Sequence, residues 1–287
     1  MKLLQYWQDG ELRLAAKTER GIIDTFAAGE GAPRTMREAI EVGSERLAEW
    51  ARRIAELGDE AKILDEDGLT FAPVVSDPQK IVCVGLNYRK HAEETNAAIP
   101  ASPILFNKFG NALAAHGEDV PIPAVTDKLD YEAELCIVIG KRAKDVSKED
   151  ALGYVFGYCN ANDLSARDLQ LRTAQWMLGK TCDKFAPVGP FVATADEVPD
   201  PNSLTIGCTV NGERRQLSNT SDMIFRCDEV VSYISRHMTL EPGDLILTGT
   251  PEGVVLGYPP EKQTYLKSGD VVTIEIEGLG ALTNRMA

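Results

Sequence analysis

Residues 130–140 read DYEAELCIVIG, and this segment poses an electrostatic problem. Its second half, 135–139, is an uninterrupted apolar run with the β-branched character of a buried strand. Glu132 and Glu134 precede that run, and residues two apart in a strand point to the same face, ~6.7 Å apart. Burying two like charges together is unfavourable unless a positive group compensates them. The segment therefore predicts a buried strand that begins beside a compensating cation.

The composition is that of a globular protein with a sizeable core. The chain has 287 residues, of which 44% are hydrophobic and 26% charged, enough for one large domain with or without a small one. Apolar runs fall short of the ~18 residues that a membrane span needs, and we expect no signal peptide. The net charge of −14 argues against nucleic acid or an anionic membrane as a partner. Six cysteines without a C-x-x-C pair predict reduced core thiols and a cytoplasmic location.

The two parts of the chain differ in pattern. Residues 1–73 contain a short β-meander and then a helical pattern at 34–57, which together predict a small N-terminal α/β domain. Residues 74–287 are rich in strand-like runs, and Asn211-Gly212 predicts a tight hairpin among them. The predicted fold class is α+β and β-rich, with a mixed sheet as the main body. Short helices are predicted at 89–94, 148–152, 166–176 and 228–237.

A third acid extends the carboxylate group. Asp163 ends the strand-like run at 154–163, so three oxygen donors come from two strand ends. Such a donor set suits Mg²⁺, Mn²⁺ or Ca²⁺. The alternative is that Glu132 and Glu134 lie on a solvated face or pair with Lys or Arg, which is common for an isolated E-x-E. The flanking apolar runs and the third acid favour the metal.

His91 and Glu94 form a candidate acid–base pair. They are spaced i,i+3, so they are neighbours on a helical turn. A carboxylate beside an imidazole raises its basicity and selects its tautomer, which suits activation of a water molecule. The alternative is a surface helix on which the histidine adjoins acids by chance. His116 and His237 lack partners at metal-binding spacing and are interpreted as structural or surface residues.

Two further segments carry candidate residues. Lys180 follows an apolar run at 176–178 and could neutralise a substrate carboxylate or a developing enolate, although most lysines lie at the surface. The backbone amides of 248–251 and the Thr250 hydroxyl could hold an anion, or the segment is only a tight loop. The sequence contains neither a P-loop nor G-x-G-x-x-G opening a helix nor G-x-S-x-G, so nucleotide binding and serine hydrolysis are unsupported.

Taken together and in order, these segments resemble the fumarylacetoacetate hydrolase superfamily. The chain is most similar to the bacterial branch that includes 2,4-diketo-3-deoxy-sugar-acid hydrolases, 2-hydroxyhepta-2,4-diene-1,7-dioate isomerases, acylpyruvases and oxaloacetate decarboxylases. The resemblance implies a catalytic domain built as a mixed β-roll, and a homodimer. The matching stretches are GLNYRKHAEE (85–94), PILFNKF (103–109), LDYEAELCIVIG (129–140), NANDLSARDLQ (160–170), QWMLGKTCDKFAPVGP (175–190) and EPGDLILTGTPEGV (241–254).

The resemblance also implies residue roles. One departure from the family's pattern concerns the loop after Gly253, which runs VVLGYPP where many members have Val-Gly soon after the glycine. That loop borders the implied site and bears on substrate specificity. The implied metal ligands are Glu132, Glu134 and Asp163, binding Mg²⁺ or Mn²⁺ or alternatively Ca²⁺; the implied catalytic residues are His91, Glu94 and Lys180; the implied substrate-binding residues are Lys108, Gln170 and Thr250.

The implied function is divalent-metal-dependent hydrolysis of a carbon–carbon bond in a 2,4-diketo acid, yielding pyruvate and a carboxylic acid. The substrate would be a small anionic diketo or oxo acid. One alternative is an isomerase, tautomerase or decarboxylase acting on oxaloacetate or a 2-hydroxy-diene-dioate through a metal-bound enolate. Another is a non-catalytic binding protein with the same fold. The reactions share a chelated pyruvyl end, so the sequence does not separate them.

Overall fold

The computed structural model describes residues 1–57 and 61–287. Its fold class is α+β and β-rich, as predicted. In the described part of the chain, no helix has the length and apolarity to cross a bilayer. The strands are β1 (Lys2–Gln8), β2 (Glu11–Thr18), β3 (Gly21–Asp24), β4 (Ile63–Leu64), β5 (Thr70–Ala72), β6 (Ile81–Gly85), β7 (Ile104–Lys108), β8 (Leu113–Ala114), β9 (Leu129–Asp130), β10 (Ala133–Ile139), β11 (Val155–Asn162), β12 (Ser165–Ala166), β13 (Ala186–Thr194), β14 (Thr205–Val210), β15 (Glu213–Asn219), β16 (Leu245–Leu247), β17 (Val271–Ile276) and β18 (Ala281–Arg285). The helices are α1 (Met36–Glu41), α2 (Gly43–Glu56), α3 (Arg89–Glu94), α4 (Arg167–Gln170), α5 (Met177–Lys180) and α6 (Cys227–His237).

Strand β10 lies inside the main sheet, whose order is β4-β3-β2-β1-β13-β11-β10-β16-β6-β7. It pairs antiparallel with β11 and β16, and all of its residues are buried. Leu135 and Ile137 pack into a core shared with the smaller sheet β15-β14-β17-β18. Cys136 and Val138 pack on the opposite face, with residues of the N-terminal helices. Both faces are covered, which explains why the strand reads as a continuous apolar run.

The N-terminal segment extends the main sheet. Strand β1 pairs with β13, with Lys2 opposite Ala193, and the predicted meander β1–β3 continues outward from there. The single helix predicted at 34–57 is wrong, because the chain forms α1 and α2 with a break between them. Gly43 begins α2 at φ 81°, a left-handed conformation that a continuous helix does not contain. A domain boundary at residue 73 stays a prediction.

Two other helix predictions are wrong in extent, whereas those at 89–94 and 228–237 are confirmed by α3 and α6. The segment predicted at 148–152 instead forms a 3₁₀ turn at Ala151–Tyr154. The helix predicted at 166–176 stops at Gln170, and the chain turns before α5. A helix continuing from 167 to 180 would separate its ends by roughly 20 Å, whereas the turn lets both helices reach the same cavity. The predicted hairpin is confirmed, with Asn211 at φ 52° and Gly212 at φ 79°.

Asn87 ties together the segments that surround the end of the sheet. It follows β6, and its side chain is fully buried. Its amide nitrogen donates to the carbonyls of Phe225 at 3.0 Å and Thr248 at 2.7 Å. Its amide oxygen accepts from the Phe225 N–H at 2.8 Å. One side chain thereby joins β6, the loop after β16 and the segment before α6.

We expect Asn87→Ala to lower the free energy of unfolding by about 3 kcal/mol, because it leaves three buried backbone groups without partners. Urea denaturation followed by circular dichroism measures this loss, with an unchanged slope. Asn107→Ala is the matched control, since Asn107 lies exposed on β7. Equal stability of the two variants would contradict the role assigned to Asn87.

Candidate active site

Strand pairing brings the three predicted metal-binding carboxylates together. Glu134 lies in β10 opposite Ala161 of β11, and Asp163 follows the end of β11. The Asp163 N–H donates to the carbonyl of Glu132 at 3.0 Å, which closes the ladder at this end. One carboxylate oxygen from each of the three acids lies within 4.8 Å of the others, and all three residues are buried.

Three cationic side chains of the chain itself surround two of these acids. The Lys180 Nζ lies 2.7 Å from Glu132 Oε2 and 2.9 Å from Asp163 Oδ2. The Lys108 Nζ lies 2.6 Å from Asp163 Oδ1, and the Arg167 Nη2 lies 2.7 Å from Glu132 Oε1. Burial favours the neutral form of Glu132, but Lys180 and Arg167 outweigh it and hold the Glu132 pKa below its usual value. The positive charge that the sequence predicts beside these acids is therefore supplied partly by lysine and arginine side chains.

Glu134 is the acid whose charge stays uncompensated. Among the described residues, no lysine or arginine forms an ion pair with it, and its Oε2 accepts only the Gly249 N–H at 2.8 Å. Burial raises the pKa of the Glu134 carboxyl well above its usual value, and the charges of Asp163 and Glu132 raise it further. A buried carboxylate without a cation, beside two others, fits a hard divalent ion such as Mg²⁺ or Mn²⁺. The residues present therefore suit the metal that the resemblance implies.

His91 and Glu94 form a hydrogen-bonded pair on the short helix α3. The His91 Nδ1 lies 2.8 Å from Glu94 Oε1, and the other oxygen, Oε2, accepts the Gly253 N–H at 3.0 Å. An ionised carboxylate only accepts, so in the neutral imidazole Nδ1 carries the proton and Nε2 has the lone pair. The pair can thus act as a base through Nε2.

The remaining predicted residues occupy different depths. Lys108 lies behind Asp163, where its Nζ donates to the carbonyls of Leu164, Lys180 and Phe185 at 2.6–3.0 Å, and it is absent from the cavity wall. Gln170 lines the cavity and accepts from Arg167 Nη1 at 2.9 Å through its amide oxygen, which leaves its NH₂ group for a ligand. Thr250 also lines the cavity.

The sequence-based reasoning missed Asp130 and Arg167. Asp130 is fully buried and accepts from Arg167 Nε at 2.8 Å, while Arg167 also contacts Glu132. Asp130 is two residues before Glu132, so the alternation of acids at 130, 132 and 134 was the available signal. Arg167 had no comparable signal, because only the tertiary fold shows where its side chain goes. Burial opposes its charge, yet Asp130 and Glu132 raise the Arg167 pKa.

Most of the polar residues of the site line one cavity of about 690 Å³. Trp176 forms part of its apolar wall and stands edge-on to Phe106, with ring centroids 5.4 Å apart. Gly85, at the end of β6, lets the indole approach, because a Cβ there would lie 2.5 Å from it. The cavity therefore combines an acidic cluster, a base and an apolar wall. Its polar lining residues include Glu132, Glu134, His91, Glu94, Arg167, Gln170, Lys180 and Thr250, and its apolar lining residues include Phe106, Leu171, Trp176, Leu256, Pro259 and Pro260.

Curated relatives match the chain over nearly its full length. The "Fumarylacetoacetate hydrolase domain-containing protein 2 homolog" of Dictyostelium discoideum is 45% identical over 286 residues, which cover 96% of this chain and 92% of that protein. The "Oxaloacetate tautomerase FAHD2B, mitochondrial" of Bos taurus is 43% identical over 269 residues, which cover 93% and 84%.

Solved structures share the fold. The fumarylacetoacetate hydrolase of Exiguobacterium antarcticum superposes with a TM-score of 0.86 at 35% identity, covering 100% of this chain and 99% of that one. The fumarylpyruvate hydrolase of Pseudomonas aeruginosa, in complex with Mn²⁺ and pyruvate, matches with a TM-score of 0.67 at 36% identity, covering 73% and 90%. The family model described as "Fumarylacetoacetate (FAA) hydrolase C-terminal" matches residues 80–287, more than half of the chain. The chain belongs to the fumarylacetoacetate hydrolase family.

Proposed function

We propose that this protein is a divalent-metal-dependent tautomerase that interconverts the enol and keto forms of oxaloacetate. The observation that carries the proposal is that Glu132 and Glu134 line the same cavity as the His91–Glu94 pair, with a carboxylate oxygen of Asp163 within 4.8 Å of theirs. The bovine relative named as an oxaloacetate tautomerase supports the substrate. The sequence analysis placed a carbon–carbon bond hydrolase first and a tautomerase acting on oxaloacetate among the alternatives. We now place the tautomerase first.

Glu132, Glu134 and Asp163 would hold a divalent cation, and the positive charge of that cation would attract the oxo-acid end of the substrate. A divalent cation held by Glu132, Glu134 and Asp163 would neutralise negative charge that develops on the substrate's C2 oxygen. Lys180 contributes a second positive charge there, since Asp163 and Glu132 raise its pKa although burial opposes it. The free NH₂ group of Gln170 donates to a substrate oxygen.

His91 moves the proton at C3. In the enol-to-keto direction a proton leaves the C2 hydroxyl and another is added to C3, so that the C2–C3 double bond becomes a C2=O double bond. Glu94 contacts Nδ1 of His91. The other ring nitrogen, Nε2, is therefore available to give or take the C3 proton. Glu94 keeps the opposite nitrogen protonated and stabilises the imidazolium that forms when Nε2 is protonated.

Hydrolysis of an acylpyruvate is the second candidate. It is favoured by the same His91–Glu94 pair, which could take a proton from water, and by the Mn²⁺ and pyruvate complex of the solved fumarylpyruvate hydrolase. The two functions share the metal and the oxo-acid end and differ in what the base deprotonates. Assays on enol-oxaloacetate and on acylpyruvates, with pyruvate quantified, separate them.

The homodimer and the small anionic oxo-acid substrate belong to the proposal as well. The cytoplasmic location stays a prediction that the comparisons do not support, because the bovine relative is named as mitochondrial.

We expect saturating Mg²⁺ or Mn²⁺ to raise the melting temperature, since a ligand present at 100 times its Kd stabilises the folded state by about 2.7 kcal/mol. Glu134→Gln should abolish that rise while leaving the metal-free protein at least as stable, because the variant removes a buried carboxyl that has no lysine or arginine partner among the described residues. Differential scanning calorimetry with and without metal measures both effects.

Glu275→Gln is the matched control for this experiment, because Glu275 is exposed on β17. Its metal-induced shift should equal that of the wild type. A full shift in Glu134→Gln would show that the ion binds elsewhere.

We expect His91→Asn to lower kcat for enol-oxaloacetate by roughly 100-fold or more, because the group that moves the C3 proton is lost. The metal-induced thermal shift should survive. Decay of enol absorbance, corrected for the reaction in metal alone, gives the rate. His237→Asn serves as the control, since His237 is exposed on α6. Undiminished activity in His91→Asn would refute the assigned base.

A further inference from the structure

The loop at 253–257 lies directly against the Glu94 carboxylate. At its start, the Gly253 N–H donates to Glu94 Oε2 at 3.0 Å. At its end, Gly257 is so close that a Cβ built on it would lie 2.4 Å from Glu94 Cδ and 2.5 Å from Oε2. The carboxylate is therefore enclosed between the loop backbone and His91 Nδ1. This loop overlaps the VVLGYPP stretch (254–260) in which the sequence departs from the family's pattern.

Gly257 is needed for space and not for backbone conformation. Its φ is not positive, unlike that of Gly253 at 99°. An alanine could adopt the same backbone, so a substitution at 257 is free of conformational strain. The collision falls on the end of a flexible side chain, which can move away without unfolding the protein. A methyl group at this position therefore acts on the Glu94 carboxylate.

The loop itself is held in place. The N–H groups of Val255 and Leu256 donate to the Asp130 carboxylate at 2.9 Å and 3.0 Å. The Tyr131 hydroxyl donates to the Gly253 carbonyl at 3.0 Å. Asp130 is fully buried and bound to Arg167, so it offers the loop a fixed anchor. Because the backbone cannot easily retreat, Glu94 has to yield.

We propose that Gly257 is a positioning residue for the His91–Glu94 pair. Its missing side chain lets the Glu94 carboxylate reach the Gly253 N–H and His91 Nδ1 at once, which selects the tautomer of His91 with a free Nε2. This role rests on the proposed function only in that His91 is the base. Gly257 acts through Glu94 and does not itself contact the reacting atoms.

Gly257→Ala should lower kcat for enol-oxaloacetate roughly 10- to 100-fold, by misplacing the partner of the base, with little change in KM. The decisive comparison is a double-mutant cycle with Glu94→Ala. The three atoms nearest to the added methyl group all belong to the Glu94 carboxylate, so Glu94→Ala/Gly257→Ala should match Glu94→Ala within about twofold. A methyl group that merely narrows the cavity would lower activity in both backgrounds.

Gly153→Ala is the matched control. Gly153 also has a φ that permits alanine, and a Cβ there would meet no atom within 4 Å. Its kcat and stability should equal those of the wild type. A melting temperature of Gly257→Ala close to the wild-type value would show that the variant is folded.

A spectroscopic readout tests the inference without any substrate. The chain has three histidines, and ¹⁵N shifts of the neutral rings report which nitrogen is protonated. His237 Nδ1 lies 2.8 Å from the Tyr233 carbonyl, and His116 Nδ1 accepts the Thr283 N–H at 3.1 Å, so these two rings provide references for both tautomers. His91 should match His237 in the wild type and show a mixture in Gly257→Ala.

Two results would overturn the inference, and both differ from failure of the proposed function. One is an unchanged His91 tautomer in Gly257→Ala. The other is a loss of kcat on adding Gly257→Ala that is equal in the wild-type and the Glu94→Ala backgrounds. If no oxo acid is turned over, the proposed function fails, while the tautomer of His91 still decides the role of Gly257.

Discussion

Three carboxylates buried at the ends of β10 and β11 are the constraint on which the site depends. Their charge cannot leave water without compensation, and for Glu132 and Asp163 the chain supplies it from three directions, through Lys108, Lys180 and Arg167. These cations start from β7, α5 and α4, so the ends of these elements must converge on the acids. The positions of the short helices follow from this electrostatic requirement more than from helix propensity.

The same network joins the acidic cluster to the base. Asp130 binds Arg167 on one side and the amides of the 253–257 loop on the other, and that loop holds Glu94. Arg167 in turn contacts Glu132. Through these contacts, the buried Asp130 carboxylate connects the acidic cluster to the loop that holds Glu94.

The sequence was informative where a local pattern and a packing requirement agreed. Alternating acids followed by an apolar run indicated both β10 and the acidic cluster, because a strand buried on both faces is apolar at successive positions. Predictions from the sequence pattern were wrong where contacts between distant residues determine the local structure. The helix predicted at 166–176 is interrupted, since Gln170 and Lys180 must both reach the cavity. Most lysines lie at the surface, but Lys180 is buried, because its Nζ forms ion pairs with two buried acids.

The sequence by itself determined the fold class, the buried strand and the residue types of the site, because these are written in short-range periodicity and in the order of motifs. Only the tertiary structure decided which cation compensates which acid, that Glu134 pairs with no lysine or arginine among the described residues, and that Lys108 lies behind the cavity. It also revealed Asp130 as an anchor and Gly257 as the space for Glu94. Most of these relations join residues more than thirty positions apart, and a chain's local pattern carries no information on which distant groups will be buried together.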